Sequence, residues 1–230
     1  MKRALHLLLP AIAVLLIAAC APAPVLRNEK LLHDDSLVTN EPCTSPCWRN
    51  ITPGETDWSE ALSIIEDETS FILDPVQEDP DTDAIGVQWK ETEGELCCQM
   101  ISENGDTVSL LFLQTAPDVT VGEMFEGQGE PTYVVGNPVS EDQAVVLMVY
   151  PDKQMVVLGF VPGAEGELTE DSEVIGIWYI TPENMELFTQ TNNLHSWEGY
   201  QPFSTYSSEV DASEFEVTPS ITLTPEGEGQ

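Results

Sequence analysis

The strand-like segments of this chain constrain its fold more than any other feature. Eight short runs of β-branched, aromatic and aliphatic residues alternate with turn-forming residues, at 70–73, 85–89, 96–101, 107–113, 132–135, 144–150, 155–161 and 173–180. The Asn104-Gly105 pair between two of these runs is typical of a hairpin turn. The unbroken apolar run at 145–149 predicts a central strand that is buried on both faces. The sequence therefore predicts antiparallel meanders around a hydrophobic core.

A short amphipathic helix is predicted before each group of strands. The first has apolar side chains at i, i+3, i+4 and i+7: Trp58, Ala61, Leu62 and Ile65. Thr56 is predicted to cap its N-terminus. Thr120 and Glu123 have the spacing of a capping box at the start of the second helix, and a final helix is predicted over 182–189.

These elements predict an α+β fold in which two helix-plus-antiparallel-meander units form one globular body. The first unit spans 43–116 and the second spans 117–203. The proline-containing segment 20–42 shows no sustained periodicity and is predicted to be a disordered tether. The tail 204–230 is rich in Ser, Thr, Glu and Pro, and is predicted to be acidic and disordered.

The N-terminal segment has the organisation of an export signal. Lys2 and Arg3 precede an apolar run that ends at Cys20, and the run is too short to be a good membrane span. Small residues followed by cysteine resemble the lipobox of bacterial lipoprotein signals, in which the cysteine receives a diacylglyceryl group. We therefore expect residues 1–19 to be a signal peptide, and the lipid on Cys20 to hold the chain to a membrane of the cell envelope, outside the cytoplasm. The alternative is an ordinary secretory signal with a chance cysteine.

The charge of the chain excludes one large class of partner. The sequence has 41 acidic and 7 basic residues, for a formal net charge of −34. Because nucleic-acid binding depends on Lys and Arg at phosphates, we expect no nucleic-acid partner. The acidity fits either a solvated surface or attraction of cations such as Ca²⁺, polyamines or a basic protein.

Four cysteines beyond Cys20 are candidates for disulfides, because disulfides persist outside the cytoplasm. Cys43 and Cys47 lie in a proline-rich loop, whereas Cys97 and Cys98 are adjacent in a predicted strand. Three pairings exist. We expect at least one bridge from the loop to the strand, since adjacent strand residues point to opposite faces. The spacing is poor for a zinc site.

Asp79, Asp81 and Asp83 alternate as in a Ca²⁺-binding loop, and are weak candidates for a metal site. Lys90 stands where an EF-hand loop needs a bidentate glutamate, so an acidic surface loop is the simpler interpretation. The sequence predicts no cofactor.

Three aromatic residues in predicted loops are candidates for a ligand surface, namely Trp48, Trp197 and Tyr200. The segment 195–200 has a second interpretation, in which it packs the C-terminal end back onto the sheet. The other tryptophans follow periodic patterns that indicate core positions. No serine-hydrolase, zinc-protease or phosphate-binding motif is present, so we do not expect an enzyme.

Two motifs carry a resemblance to known proteins. Gly54-Glu55-Thr56 before a helix, and Gly129-Glu130-Pro131 before a strand, resemble the small lipoproteins of the outer-membrane β-barrel assembly machinery and the β-lactamase-inhibitor-like fold. The segments 46–54 and 129–134 also resemble a group of uncharacterised bacterial lipoproteins. The resemblance implies a helix-plus-sheet fold that contacts other proteins.

The sequence thus predicts a lipid-anchored extracytoplasmic binding or scaffolding module with a protein partner. A cell-surface binder of a sugar or a cation is the alternative. A hydrolase of envelope polymers is a third interpretation, because carboxylate pairs are abundant.

Overall fold

The computed structural model describes residues 25–207. Cys20, the predicted signal peptide and the predicted tail beyond residue 207 lie outside the described residues. Five α-helices are present among the described residues: α1 (Ser36–Thr39), α2 (Trp58–Glu66), α3 (Val121–Gln128), α4 (Pro182–Thr191) and α5 (Phe203–Tyr206). A short 3-10 helix (Pro151–Lys153) lies between two of the strands. Ten strands accompany them: β1 (Phe71–Leu73), β2 (Gln77–Glu78), β3 (Ile85–Glu91), β4 (Cys98–Ser102), β5 (Leu110–Gln114), β6 (Tyr133–Pro138), β7 (Ala144–Tyr150), β8 (Met155–Val161), β9 (Val174–Ile180) and β10 (His195–Ser196).

All ten strands belong to one antiparallel sheet. Its order is β1-β3-β4-β5-β9-β8-β7-β6-β10, and β2 pairs with β3 beside β1. The two predicted meanders join where β5 pairs with β9, with Leu110 opposite Ile180 and Gln114 opposite Gly176. The prediction of helices combined with an antiparallel sheet is confirmed, but the fold is mostly β. The strands form one continuous sheet and are not clearly divided into two units.

One predicted strand is shorter than expected because a side chain organises its turn. The predicted strand at 107–113 begins only at Leu110. Asn104 Oδ1 accepts hydrogen bonds from the backbone N–H groups of Asp106 and Thr107, at 2.9 and 3.0 Å. These bonds extend the turn at the expense of the strand.

The sheet buries apolar side chains on both faces. The larger cluster, on the side of α2 and α3, includes Trp89, Met100 and Leu111. The smaller cluster includes Val156 and Met185, the latter from α4. All seven residues of β7 are buried, which confirms the central strand predicted from its apolar run.

The N-terminal segment is part of this core, so the prediction of a disordered tether is wrong for residues 25–42. Leu31, Leu32 and Leu37 are 7%, 0% and 2% exposed. The Leu32 backbone N–H donates to the Gln114 carbonyl at 3.2 Å, and the Leu32 carbonyl accepts from the Ala116 N–H at 2.8 Å. Burial of these three leucines offsets the entropy of ordering the segment.

The folded body also extends beyond the predicted C-terminal boundary at residue 203. Helix α5 places Phe203 and Tyr206 in the core, where they are 2% and 1% exposed. The Phe203 ring lies against Gly136 of β6, and a Cβ at that position would approach it to 2.7 Å. The prediction of a disordered tail is therefore wrong for residues 204–207.

Helices α2 and α3 begin in similar ways. The backbone at the start of α2 pairs with the segment that leads into β5. The backbone at the start of α3 pairs in the same way with the segment that leads into β9. The bonds are Trp58 N–H to Asp106 O (2.7 Å), Val108 N–H to Thr56 O (3.0 Å), Val121 N–H to Ser172 O (2.8 Å) and Val174 N–H to Val119 O (2.8 Å). The predicted capping box of Thr120 and Glu123 is confirmed. The prediction that Thr56 caps α2 is wrong, because its hydroxyl accepts the N–H of Thr52 at 2.9 Å. The N-cap position of α2 is Asp57, whose side chain makes no capping hydrogen bond.

Candidate binding surface

Trp48 does not belong to a ligand surface, so this prediction is wrong. Its side chain is fully buried, with ring centroids 6.1 Å from Trp89 and 6.4 Å from Phe71. Its indole Nε1–H donates to Asp34 Oδ2 at 2.8 Å. The loop that carries Trp48 folds over the first half of the sheet, and the ordered N-terminal segment supplies the half-buried hydrogen-bond acceptor.

The four cysteines form disulfides, but not with the predicted connectivity. Cys43 pairs with Cys47, and Cys97 pairs with Cys98, so the expected bridge from loop to strand is wrong. The turn between Cys43 and Cys47 lies against the other half of the molecule, because the Ser45 hydroxyl is 3.4 Å from Met155 Sδ in β8. Each bridge therefore closes a local loop and does not join the two segments.

The candidate metal residues lie in the acidic turn between β2 and β3. Asp79 Oδ1 accepts the backbone N–H of Asp81 at 2.8 Å, and Asp83 lies in the same turn. Within residues 25–207, no group of three or more His, Cys, Asp or Glu side chains is arranged to hold a metal ion. The structure thus does not bring these three carboxylates together as a site.

Trp197 and Tyr200 meet Phe125 of helix α3 at the molecular surface. The ring centroids of Phe125 and Tyr200 are 5.8 Å apart and the rings lie 18° from parallel. Trp197 is perpendicular to both rings, at 5.3 Å from Phe125 and 5.7 Å from Tyr200. Tyr200 is 36% exposed, whereas Phe125 and Trp197 are partly buried. We call these three residues the aromatic patch.

Contacts within the C-terminal segment, and between this segment and β6, hold Trp197 and Tyr200 in place. Strand β10 pairs with β6, and the Trp197 N–H then donates to the Thr132 carbonyl at 3.2 Å. The Tyr206 hydroxyl donates to the Gly199 carbonyl at 2.7 Å, and its ring stacks on Trp197 at 5.9 Å. The prediction that 195–200 packs back onto the sheet is therefore confirmed. The same packing leaves Tyr200 at the surface.

Two carboxylates act electrostatically on the exposed ring of the patch. The pKa of the Tyr200 hydroxyl is raised, first by partial burial and then by the negative charges of Glu170 and Glu130. Both carboxylates are exposed. Glu130 follows the C-terminal end of α3, and Glu170 lies at its N-terminal end, where its carbonyl accepts the Gly122 N–H. A π-face flanked by negative charge attracts cations, since the ring quadrupole and the carboxylates act in the same direction.

Phe125 is the site residue that sequence reasoning missed. It lies in the amphipathic helix α3, next to the buried Val121 and Met124, and its sequence position does not distinguish it from a core residue. Two large apolar residues are adjacent in α3, and only Met124 is buried. This adjacency is the one feature of the sequence that indicates an aromatic side chain at the edge of the core.

Two polar grooves elsewhere on the molecule are weaker candidates for a binding site. One of about 450 Å³ is lined by Asp34, Asp35, Glu41, Arg49 and Glu68. The Arg49 guanidinium pairs with Glu68 and lies 5.3 Å from the Trp48 ring and 5.2 Å from the Phe71 ring. Among the described residues that line this groove, Arg49 is the one cationic side chain, and it is already engaged with protein groups. A second groove of about 620 Å³ separates Pro151 and Asp152 from the end of α4.

The described residues contain no helix that is long and apolar enough to cross a membrane. Comparison with protein-family models, with curated proteins and with solved structures finds no match to this chain. Function is therefore inferred from the chemistry of the aromatic patch and its charges.

Proposed function

We propose that this protein is a lipid-anchored, extracytoplasmic, non-catalytic binding module whose aromatic patch binds a basic segment of a protein partner. Cys20 carries the lipid that attaches the chain to a membrane of the cell envelope. The observation that supports the binding site is the exposed Tyr200 ring, which packs against Phe125 and Trp197 and whose hydroxyl is influenced by the negative charges of Glu130 and Glu170.

The patch suits a Lys or Arg side chain better than a small cation. Phe125 and Tyr200 are nearly parallel with centroids 5.8 Å apart, so no ligand fits between the two rings and a ligand contacts the exposed part of Tyr200. The negative charges of Glu130 and Glu170, which act on the Tyr200 hydroxyl, also favour a cationic group at this ring. Such a cation–π contact contributes about 0.5–2 kcal/mol, depending on how far it is desolvated.

The charge of the whole protein adds a second contribution. After Lys2 and Arg3 are lost with the signal, the chain retains 5 basic and 41 acidic residues, for a net charge of −36. A charge of this size accelerates association with a basic partner and makes the rate fall with ionic strength. The aromatic patch then decides where the partner docks.

The two halves of the sheet are proposed to be repeats of one helix-plus-meander unit. The matching backbone bonds at the starts of α2 and α3 support this proposal. The order of strands supports it as well, because the last strand of each half, β5 or β9, pairs with the other at the centre of the sheet. Such a continuous sheet is a rigid support for a binding surface.

A sugar-binding module is the second candidate, since an exposed tyrosine ring also stacks on sugars. The two candidates differ in their salt dependence. Binding of a basic segment weakens steeply as salt is added, whereas stacking of a neutral sugar does not.

The test is a titration of the unlipidated Cys20→Ser chain with a synthetic peptide of alternating Lys and Arg residues, followed by tryptophan fluorescence. Tyr200→Ala should weaken binding about 2- to 30-fold, which corresponds to the cation–π contribution. Tyr200→Phe should keep most of the affinity, because it keeps the ring.

Glu66→Gln is the charge control, since Glu66 is exposed at the end of α2. It should reduce affinity less than Glu170→Gln does. If Tyr200→Ala and Glu170→Gln weaken binding no more than Glu66→Gln, the acidic surface binds the peptide nonspecifically and the proposed site is wrong.

A further inference from the structure

The first described residues lie at one end of the sheet. There they contact residues at the ends of three neighbouring strands, β7, β8 and β9. The Leu26 N–H donates to Gln143 Oε1 at 2.8 Å, and Gln143 directly precedes β7. Arg27 pairs with Glu173, which directly precedes β9, and its guanidinium lies 5.3 Å from the Phe160 ring near the end of β8. We call this the anchor end: residues 25–27 with the loops 139–143 and 162–173.

The distance from Cys20 to this end is short. Because residues 25–42 are packed on the domain, only five residue steps separate Cys20 from Val25. Five residues span at most about 18 Å when fully extended. A tether that reached from Cys20 to residue 42 would instead span up to about 75 Å by the same geometry.

We propose that the anchor end faces the lipid bilayer, so that the domain sits directly on the membrane surface and is not held away from it. This inference rests on the lipidation of Cys20 in the proposed function. The occupant of the anchor end is the surface of the bilayer that holds the acyl chains of Cys20.

Exposed apolar side chains at this end support the proposal. Val25 and Val139 are 73% and 37% exposed, and both lie in segments that form the anchor end. Leu96 lies outside the anchor end but at the same edge of the sheet, and it is 46% exposed in the turn before β4. This turn is joined to the N-terminal segment by a 2.8 Å bond from the Glu95 N–H to the Lys30 carbonyl. Apolar groups at a membrane surface lose contact with water at little cost.

Charge limits how deeply this end can enter the bilayer. Six acidic residues are exposed in the loops of the anchor end, namely Glu141, Asp142, Glu165, Glu167, Glu170 and Asp171. Their repulsion from anionic headgroups extends over about 8–10 Å at physiological salt, which is within the reach of the five residues after Cys20. The anchor end therefore rests at the membrane surface and does not insert into it.

The orientation also restricts where the partner can be. Helix α3 starts at the anchor end, where the Gly122 N–H donates to the Glu170 carbonyl at 2.9 Å. Phe125 lies three residues further along the helix, or about 4.5 Å along its axis. The aromatic patch is then held close to the bilayer, and its basic partner segment must lie beside the membrane.

The test compares the two ends of strand β7 in the lipidated protein. A fluorophore is attached to a cysteine introduced by Glu141→Cys, in the anchor end, or by Asp152→Cys, just beyond the other end of β7. Both positions are exposed, and the seven residues of β7 separate them by about 23 Å. The protein is placed in phosphatidylcholine vesicles that contain a nitroxide-labelled headgroup lipid. Intact mass first verifies the acyl groups on Cys20.

We expect headgroup quenching to be several-fold stronger at position 141 than at position 152. A 20-residue Gly-Ser insertion before Val25 should remove this difference, because it adds a root-mean-square reach of about 25 Å. Tyr200→Ala should leave the quenching unchanged while it weakens peptide binding.

Two results would overturn the inference, and they are distinguishable. Equal quenching at the two positions in verified lipidated protein refutes the orientation alone and leaves the binding function intact. A mass without acyl groups on Cys20 refutes both the proposed anchoring and this orientation, whatever the peptide titration shows.

Discussion

Removing the Leu32 side chain should destabilise the whole domain, although this residue lies in a segment whose sequence resembles a linker. Leu32 is fully buried and its backbone is hydrogen-bonded to Gln114 and Ala116 on either side of the end of β5. Truncation of a buried leucine to alanine costs about 2–5 kcal/mol, with the larger values where the cavity cannot collapse. For a domain of this size, each kcal/mol lowers Tm by about 2–4 °C.

The assay is urea unfolding of the Cys20→Ser chain and its Leu32→Ala variant, followed by tryptophan fluorescence. We expect a lower midpoint with an unchanged m-value, because the surface exposed on unfolding stays nearly the same. Val25→Ala is the matched control: Val25 is 73% exposed, and its truncation should change the free energy of unfolding by no more than about 0.5 kcal/mol. If Leu32→Ala also falls within that range, residues 25–42 are not part of the core and the short reach from Cys20 to the domain is wrong.

Three further predictions concern the helices and one surface ion pair. Thr120→Ala should lower the free energy of unfolding by about 1 kcal/mol in urea melts, because it removes the capping box of α3. Gly136→Ala should cost about 1–3 kcal/mol in the same assay, since the new Cβ meets the buried Phe203 ring. The hydrogen bond to Asp118 raises the pKa of His33 above its usual value of 6.5. The pair therefore stabilises the folded state fully below pH 6.5, and this stabilisation is lost as the pH rises through the folded-state pKa of His33. The stability difference between wild type and Asp118→Asn should shrink accordingly in melts over a pH series, and a difference that grows with pH would contradict the assignment.

Local sequence signals predicted the parts of the fold that depend on neighbouring residues. The apolar run of β7 requires burial on both faces, and Thr120 with Glu123 completes a cap within one helical turn. Both features are decided by contacts that a short window of sequence contains. The length of β5 was harder to predict, because the Asn104 side chain extends its turn.

Features that depend on distant contacts could not be predicted in this way. Burial of Trp48 and Leu32 requires the N-terminal segment to lie across the end of the sheet, and nothing in its irregular sequence indicates this. The pairing of β5 with β9 joins residues that are far apart in the chain. In the aromatic patch, Trp197 and Tyr200 were recognisable from their loop, but their contact with Phe125 depends on how the C-terminal segment packs.

Site-specific photo-crosslinking in intact cells tests the binding site most directly. Tyr200 is replaced by p-benzoylphenylalanine, and the control has the same replacement at Leu187, which is 58% exposed on α4. We expect position 200 to crosslink to a basic segment of a membrane-associated protein, with a yield that falls when Glu170→Gln is added, while position 187 gives no such product. Equal crosslinking at both positions, or a product at 187 alone, would contradict the account that the aromatic patch is the binding surface.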